Sequence, residues 1–482
     1  MRLSLICKDV VADPQEVPDV EVTGVSADSR AVGPGDLFIA IPGNKADGGR
    51  YLADAAARGA VAAIAATATA RPAGLGIPLL QTPDPRVALA RISARVYTGQ
   101  PDTVVAVTGT SGKTSVAEFT RQILAACGRR SASLGTIGVV TSASTSYGSL
   151  TTPDPVTLHK TLAALASDGI THLAMEASSH GLDQHRLDGV AIKAAAFTNL
   201  GRDHLDYHPT VDAYFAAKMR LFEDLLPPDQ PAIINRDGAC SAEAEAIARR
   251  TGRQVLTVGR NGDTITLVSA ERAGFAQRLT LRIGETVAAV DLPLVGAYQV
   301  ENALVAAALA MAVGESTEDV IAAMAALKGV KGRLEIVGEH HGALAVVDYA
   351  HKPEALAAAL DACRPFATGR LICVFGCGGD RDRGKRPIMG RIAADKADVV
   401  IVTDDNPRSE QPAAIRAEVL AGAPGALEIG ERELAIQRAV SMMGPGDVLL
   451  VAGKGHETGQ IVGDTVLPFS DHEVLAEAMG DP

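Results

Sequence analysis

A chain of 482 residues that is 47% hydrophobic and 21% charged, with 48 glycines and 25 prolines, has the composition of a turn-rich globular α/β protein of two to four domains. Its formal net charge of −12 disfavours a nucleic-acid partner, and 3% aromatic residues with no tryptophan leave little for a base-stacking platform. No run reaches the ~18 apolar residues of a membrane span, and the N-terminus has no basic-then-apolar leader, so a cytoplasmic protein without membrane association is expected.

Residues 1–97 read as a first domain. Strands are predicted at Val20–Ser26, Leu37–Ile41 and Ala60–Ile64, with helices at Tyr51–Gly59 and Pro85–Tyr97. Between the first two strands, Asp28-Ser29-Arg30 can hold an anionic or hydroxyl-rich ligand, though taken alone it reads better as a surface turn. Gly99-Gln100-Pro101 then reads as a linker.

Residues 98–330 read as a second domain, opened by the strongest signal in the chain. The β-branched run Val104–Val107 enters Thr108-Gly109-Thr110-Ser111-Gly112-Lys113-Thr114-Ser115, and a helix follows over Val116–Cys127. Glycines at 109 and 112 let backbone N–H groups turn inward around phosphate oxygens, and the helix N-terminus adds unpaired donors. Lys113 can reach the β- and γ-phosphates and the Thr114 hydroxyl can ligate Mg²⁺. The full phosphate-loop pattern requires a glycine at position 107, where this chain has valine, so the loop is the shorter variant.

Further strands, Leu173–Met175 and Ala194–Thr198, each run into polar residues, Glu176–Leu182 and Asn199–His208, the placement in which open α/β sheets hold ligands. Glu176 suits a Mg²⁺ ligand or a water-positioning carboxylate, whereas His204 is less typical for Mg²⁺ and also fits a hydrogen-bonding or packing role. Six of the 11 histidines fall between His159 and His208, more than packing alone accounts for. On an amphipathic helix, Lys218 reads as a solvent-facing lysine. Residues 262–295 alternate in the manner of antiparallel strands, and a helix over 296–312 carries Asn302.

Residues 331–482 read as a third, doubly wound Rossmann-like domain. Its strands lead into Asp348–Pro353, into a glycine- and arginine-rich loop at Gly376–Pro387, into Asp404–Arg408, and into Gly453–Glu457. The arginines suit bidentate recognition of carboxylate or phosphate, and no G-x-G-x-x-G fingerprint follows the first strand, which disfavours NAD. The six cysteines are scattered, and Cys373 and Cys377 read as buried or turn thiols, not a metal pair.

Taken together, the Thr108–Thr114 loop, Glu176–His180, Asn199–Asp206 and Asp405-Asn406-Pro407-Arg408 resemble the Mur ligase family, the ATP-dependent amide-forming enzymes of peptidoglycan precursor synthesis, along essentially the whole chain. The resemblance implies three α/β domains: one for the nucleotide substrate, a central P-loop ATPase-like one with a mostly parallel sheet, and a Rossmann-like one for the amino acid. It implies ATP and Mg²⁺ as cofactors, handled by Gly109–Ser115, Glu176, His204 and Lys218, with Lys218 matching a lysine the family carbamylates. Asn302, Arg333, His351 and Asn406 match nucleotide-contacting positions. Ser29, with Asp28 and Arg30, matches the uridine site, and Thr151, Thr152, Ser178, Gln184 and Arg186 match the muramoyl-dipeptide site. Arg381, Asp405, Asn406, Pro407, Arg408, Gly453 and Glu457 match a meso-2,6-diaminopimelate pocket, which favours that amino acid over L-lysine. The implied partners are thus UDP-N-acetylmuramoyl-L-alanyl-D-glutamate and meso-2,6-diaminopimelate, acted on by a monomer, with a P-loop NTPase lacking ligase activity as the competing class. Ser115, Gln299 and Lys352 depart from the usual threonine, asparagine and threonine, and none removes a group the chemistry requires.

Overall fold

The computed structural model describes every residue except 13–16, 44–46, 147, 149, 205, 481 and 482, so Leu205 of the Asn199–His208 run lies outside the described residues. The chain divides into two compact units, residues 1–257 with 308–315 and residues 258–307 with 316–482. The helix Ala297–Ala312 therefore contributes residues to both.

In the first unit, strands Gly24–Ser26, Asp36–Ile39, Ala62–Ala66 and Leu79–Thr82 pair in chain order, all parallel. Because side chains alternate across a strand, Leu37, Ile39 and Ile64 face the helix Pro85–Val96, while Phe38, Ala63 and Ala65 pack with Leu52 and Ala55. A second sheet carries the order Pro231–Asn235, Ala194–Phe197, Thr103–Thr108, His172–Glu176, Ser131–Gly135, Gly138–Val140, Thr145–Ser146. It is parallel up to Ser131–Gly135 and antiparallel beyond. Its central strands are near-continuous apolar runs because helices cover both faces. Register places Val107 beside Glu176 and Thr108 beside Phe197, so the polar segments after three strands emerge at one sheet edge.

The second unit contains the expected antiparallel strands, Ile265–Ala273, Ala276–Ile283 and Thr286–Leu292. Its main sheet has the order Glu335–His340, Ala343–Asp348, Val448–Ala452, Leu371–Phe375, Val399–Val402, Leu427–Glu428, with only the first pair antiparallel. Leu356, Leu360 and Met389 pack on one face, and Ile436, Val440 and Leu475 on the other, the doubly wound arrangement. Asp348, Phe375, Ala452 and Val402 are in register, so the loops at 349–353, 376–387, 403–408 and 453–457 share one edge. Cys373 and Cys377 are buried free thiols, pushed up by burial to about 12 and about 11. Among the described residues no helix is long and apolar enough to cross a membrane.

Candidate functional site

The loop after Thr103–Thr108 has the conformation its glycines allow. Gly109 has φ 146° and Gly112 φ 89°, and a Cβ on Gly109 would fall 1.9 Å from Thr198 Oγ1. The strand-end residues of Ala194–Phe197 hold the loop in shape. Asn199 O accepts from Thr110 N at 2.9 Å, Asn199 Oδ1 from Ser111 N at 3.1 Å, and Thr198 Oγ1 donates to Ser111 O at 2.6 Å. Lys113 opens the helix Lys113–Ala126, and its Nζ donates to Gly109 O and Thr110 O at 2.9 and 3.0 Å. Its ammonium thus lies over the loop, where a phosphate would meet it.

Lys218 is the main correction to the residue-by-residue reading. It is 1% exposed, not solvent-facing, and its Nζ donates to the same Gly109 carbonyl at 2.8 Å from 4.3 Å above the Tyr214 ring. The amphipathic pattern failed here because Val211–Arg220 buries Tyr214, Ala217, Lys218 and Met219, a face wider than its apolar residues suggest. Burial, followed by the Lys113 charge, pulls the Lys218 ammonium well below the ordinary lysine range, toward the neutral amine.

Glu176 is likewise 1% exposed. Its carboxylate accepts from Thr136 N at 2.7 Å and from Thr136 Oγ1 at 3.3 Å, and Gly135 leaves the room, since a Cβ there would lie 2.0 Å from Glu176 Oε1. Glu176 and Thr114 line one small cavity. The five positions expected for a muramoyl dipeptide converge beside it. Thr151 Oγ1 is 3.0 Å from Thr136 Oγ1, Thr152 Oγ1 donates to Glu176 O and accepts from Ser178 N, and Arg186 donates to Thr152 O and Gln184 Oε1. Ser29 is buried at the head of a 3₁₀ turn over Ser29–Ala31, while Asp28 and Arg30 pair with each other.

Five of the six histidines of the run fall into two groups, while His172 Nδ1 lies 2.8 Å from Thr171 Oγ1. His159 and His185 engage Asp188 in packing roles, whereas His180, His204 and His208 stack with Tyr207 and Tyr214. His204, at φ 53°, lies 3.6 Å from Asp203. Tyr207 carries no motif of its own beyond its place inside the Asn199–His208 run, and Tyr214, on the helix Val211–Arg220, gave no sequence signal.

In the second unit the strand-end loops assemble a different set of groups. Asn302 Nδ2 donates to Gln299 Oε1 and Gln299 Nε2 to Arg333 O, so the departure at Gln299 is absorbed into a buried relay. The Arg333 guanidinium lies 4.8 Å over the Tyr349 ring, and its Nε has no hydrogen-bond partner among the described residues. His351 Nδ1 lies 2.9 Å from Tyr349 O. Asp348 accepts from Leu334 N and Ala350 N, yet burial outweighs these bonds and the nearby Arg333 charge, raising it from 3.8 to about 6. Arg408, at φ 51°, donates to Gly379 O, and the exposed Arg381 to Asp380 O. Asp405 O accepts from Gln460 Nε2, and Asn406 Nδ2 donates to Glu457 Oε2 at 3.0 Å. Pro407 and Gly453 are packed against backbone and carboxylate: a Cβ on Gly379 would meet Pro407 O at 1.9 Å, and one on Gly453 would meet Asp405 Oδ2 at 2.7 Å. The arginine, amide and carboxylate groups expected for a zwitterionic amino acid are therefore gathered on neighbouring loops of one sheet edge.

Three family profiles match the chain: "Mur ligase family, catalytic domain" over residues 21–97, "Mur ligase middle domain" over 107–310, and "Mur ligase, glutamate ligase domain" over 332–455. The chain is 59% identical over 462 residues to the UDP-N-acetylmuramoyl-L-alanyl-D-glutamate--2,6-diaminopimelate ligase of Rhizobium meliloti (strain 1021), covering 96% of this chain and 95% of that one. It is 60% identical over 467 residues to the protein of the same name from Brucella melitensis biotype 1, covering 97% and 96%. A solved structure of a ligase of that name superposes with a TM-score of 0.75 at 32% identity, covering 100% of this chain and 99% of that one.

Proposed function

The chain belongs to the Mur ligase family, and we infer that it is an ATP-dependent ligase joining meso-2,6-diaminopimelate to the D-glutamyl γ-carboxylate of UDP-N-acetylmuramoyl-L-alanyl-D-glutamate in peptidoglycan precursor synthesis. Both substrates are water-soluble and ATP is a cytoplasmic currency, so the reaction belongs in the cytoplasm. The observation that carries the reading is the convergence of the phosphate loop, buried Glu176 and buried Lys218 at one sheet edge.

A carboxylate is a poor acyl donor to an amine, so the D-glutamyl carboxylate takes the γ-phosphoryl group of ATP and becomes an acyl phosphate. Lys113 and the loop N–H groups offset the charge of the transferring phosphoryl. Thr114 and Glu176, hard oxygen donors on one cavity, fit Mg²⁺. Bound there, the ion would offset the negative charge of phosphate oxygens. Lys218 as an ammonium does not fit a cation. Its displaced protonation suits a neutral amine, which adds to CO₂ with loss of a proton and becomes an anionic carbamate.

The L-centre amine of diaminopimelate then attacks the acyl phosphate and phosphate leaves. Glu457 holds the distal ammonium and Arg408, with Arg381, the distal carboxylate. L-Lysine has no distal carboxylate, so those guanidinium groups go unanswered. The test is phosphate release from ATP with the UDP-muramoyl dipeptide and Mg²⁺. Release is expected to depend on meso-diaminopimelate, with kcat/KM for L-lysine lower by about 100-fold, the size of one or two lost charged hydrogen bonds. Equal turnover with L-lysine defeats the amino-acid assignment, and release that needs no amino acid defeats the ligase assignment.

A further inference from the structure

Lys454 has no part in the roles above, yet its side chain is completely buried. It follows Gly453 at the end of the strand Val448–Ala452. Burying an ammonium is costly, and a methionine would fill the same space without that cost. What Lys454 touches explains its retention. Its Nζ donates to Asn406 Oδ1 at 3.0 Å and to Gly459 O at 2.7 Å, and lies 3.6 Å from Glu457 Oε2.

Asn406 Oδ1 accepts a second bond, from Ile461 N at 2.9 Å. A lysine ammonium and a backbone N–H can only donate, so the oxygen end of the amide must face them. The Nδ2 end is thereby turned onto Glu457 Oε2, at 3.0 Å. One carboxylate oxygen of Glu457 is committed to Asn406 and Lys454, while Oε1 has the Tyr349 hydroxyl at 3.5 Å and remains the freer acceptor. The bond to Gly459 O also anchors the hairpin Gly459–Val462 and Thr465–Pro468, whose Ile461 O accepts from Arg408 N and whose Gly463 N donates to Arg408 O.

We propose that Lys454 is a positioning residue for the amino-acid substrate: it fixes the Asn406 amide so that Glu457 presents Oε1 to the substrate ammonium, and it seats the hairpin that holds Arg408. This rests on the assignment of Asn406, Arg408 and Glu457 to the diaminopimelate pocket. Lys454 acts through its neighbours, so its loss should weaken amino-acid binding selectively.

The test compares KM for meso-diaminopimelate with KM for the UDP-muramoyl dipeptide in Lys454→Met, Lys454→Gln and Glu457→Gln enzymes, with thermal melts of each. In Lys454→Met the diaminopimelate KM is expected to rise about tenfold or more, as for one lost charge-assisted hydrogen bond, while the nucleotide-substrate KM stays within about twofold. Lys454→Gln, which can still donate to Asn406 Oδ1, should recover part of the loss and carries the comparison if the methionine variant does not fold. If Glu457→Gln raises the diaminopimelate KM and the folded Lys454 variants do not, Lys454 has no positioning role. If both KM values rise together, or neither Lys454 variant folds, the residue is merely structural and the proposal fails. If Glu457→Gln leaves the diaminopimelate KM unchanged, the pocket assignment itself is wrong.

Discussion

Gly109 O is the point where two lysines meet: Lys113 Nζ at 2.9 Å and Lys218 Nζ at 2.8 Å. Two ammonium groups on one carbonyl oxygen repel, which is why Lys113 figures among the causes that weaken the Lys218 charge. Replacing Lys218 with alanine is expected to cut turnover by about 100-fold or more, with partial recovery on adding short carboxylic acids that supply the missing anion. Undiminished turnover without them would exclude the carbamate. Asp348 poses the opposite case, a carboxyl raised from 3.8 to about 6 by burial. Between those values the folded chain binds more protons than the unfolded one, so this group's stabilising contribution is full below pH 3.8 and is lost as pH rises through 6. Asp348→Asn forfeits an acceptor and should be the less stable protein. Its deficit relative to the parent should shrink by up to about 3 kcal/mol between pH 4 and pH 7, read from denaturant melts. A deficit that grows over that range would reverse the sign assigned here.

Among elements, the strand ends carry the function, and how well they could be read from sequence follows from how local their determinants are. The Gly109–Thr114 turn was legible because phosphate cradling needs specific glycines, a lysine and a hydroxyl in adjacent positions. The arginine loops were legible for the same reason. The strands Ser131–Gly135, Gly138–Val140 and Thr145–Ser146 were not, being short and rich in serine, threonine and glycine; the first pairs with His172–Glu176 about forty residues on, and the other two continue it as tight antiparallel pairs. The hairpin of Gly459–Val462 and Thr465–Pro468, two strands of four residues each, was not legible either, and so the setting of Lys454 was hidden. Helix ends in the second unit hold a further device. Arg432, at the start of Arg432–Met442, pairs bidentately with Asp471, at the start of Asp471–Met479, and donates to Ala452 O, with both side chains fully buried. Arg432→Met strands a buried carboxylate and should cost the second unit about 3–5 kcal/mol in a thermal or denaturant melt. Adding Asp471→Leu should restore much of that loss. A double variant as unstable as the single one would show that the pair contributes through packing alone.

At the scale of the whole molecule, residues 308–315 belong with the first unit although fifty residues of the second precede them. They include Glu315, whose carboxylate is nearly buried and pairs with Arg129 at 2.7 Å. A fragment ending at residue 257 therefore lacks part of its own unit, and it should be digested faster under limited proteolysis than the same region in the full chain. Equal resistance would show that the returning segment adds no stability.

The single helix Ala297–Ala312, divided between the units, has a consequence for how the chain is made. A nascent polypeptide is delivered from one end at roughly 5–20 residues per second. The phosphate loop, Glu176 and Lys218 all emerge well before residue 315, but their unit cannot close until that residue has left the ribosome. For several seconds of synthesis the nucleotide machinery is present without its last segment, while the antiparallel strands that follow it are already free to pair. Chaperones that hold nascent chains would find an opening in that interval, and a stalled ribosome upstream of position 315 would release a product whose phosphate loop is complete but whose fold is not.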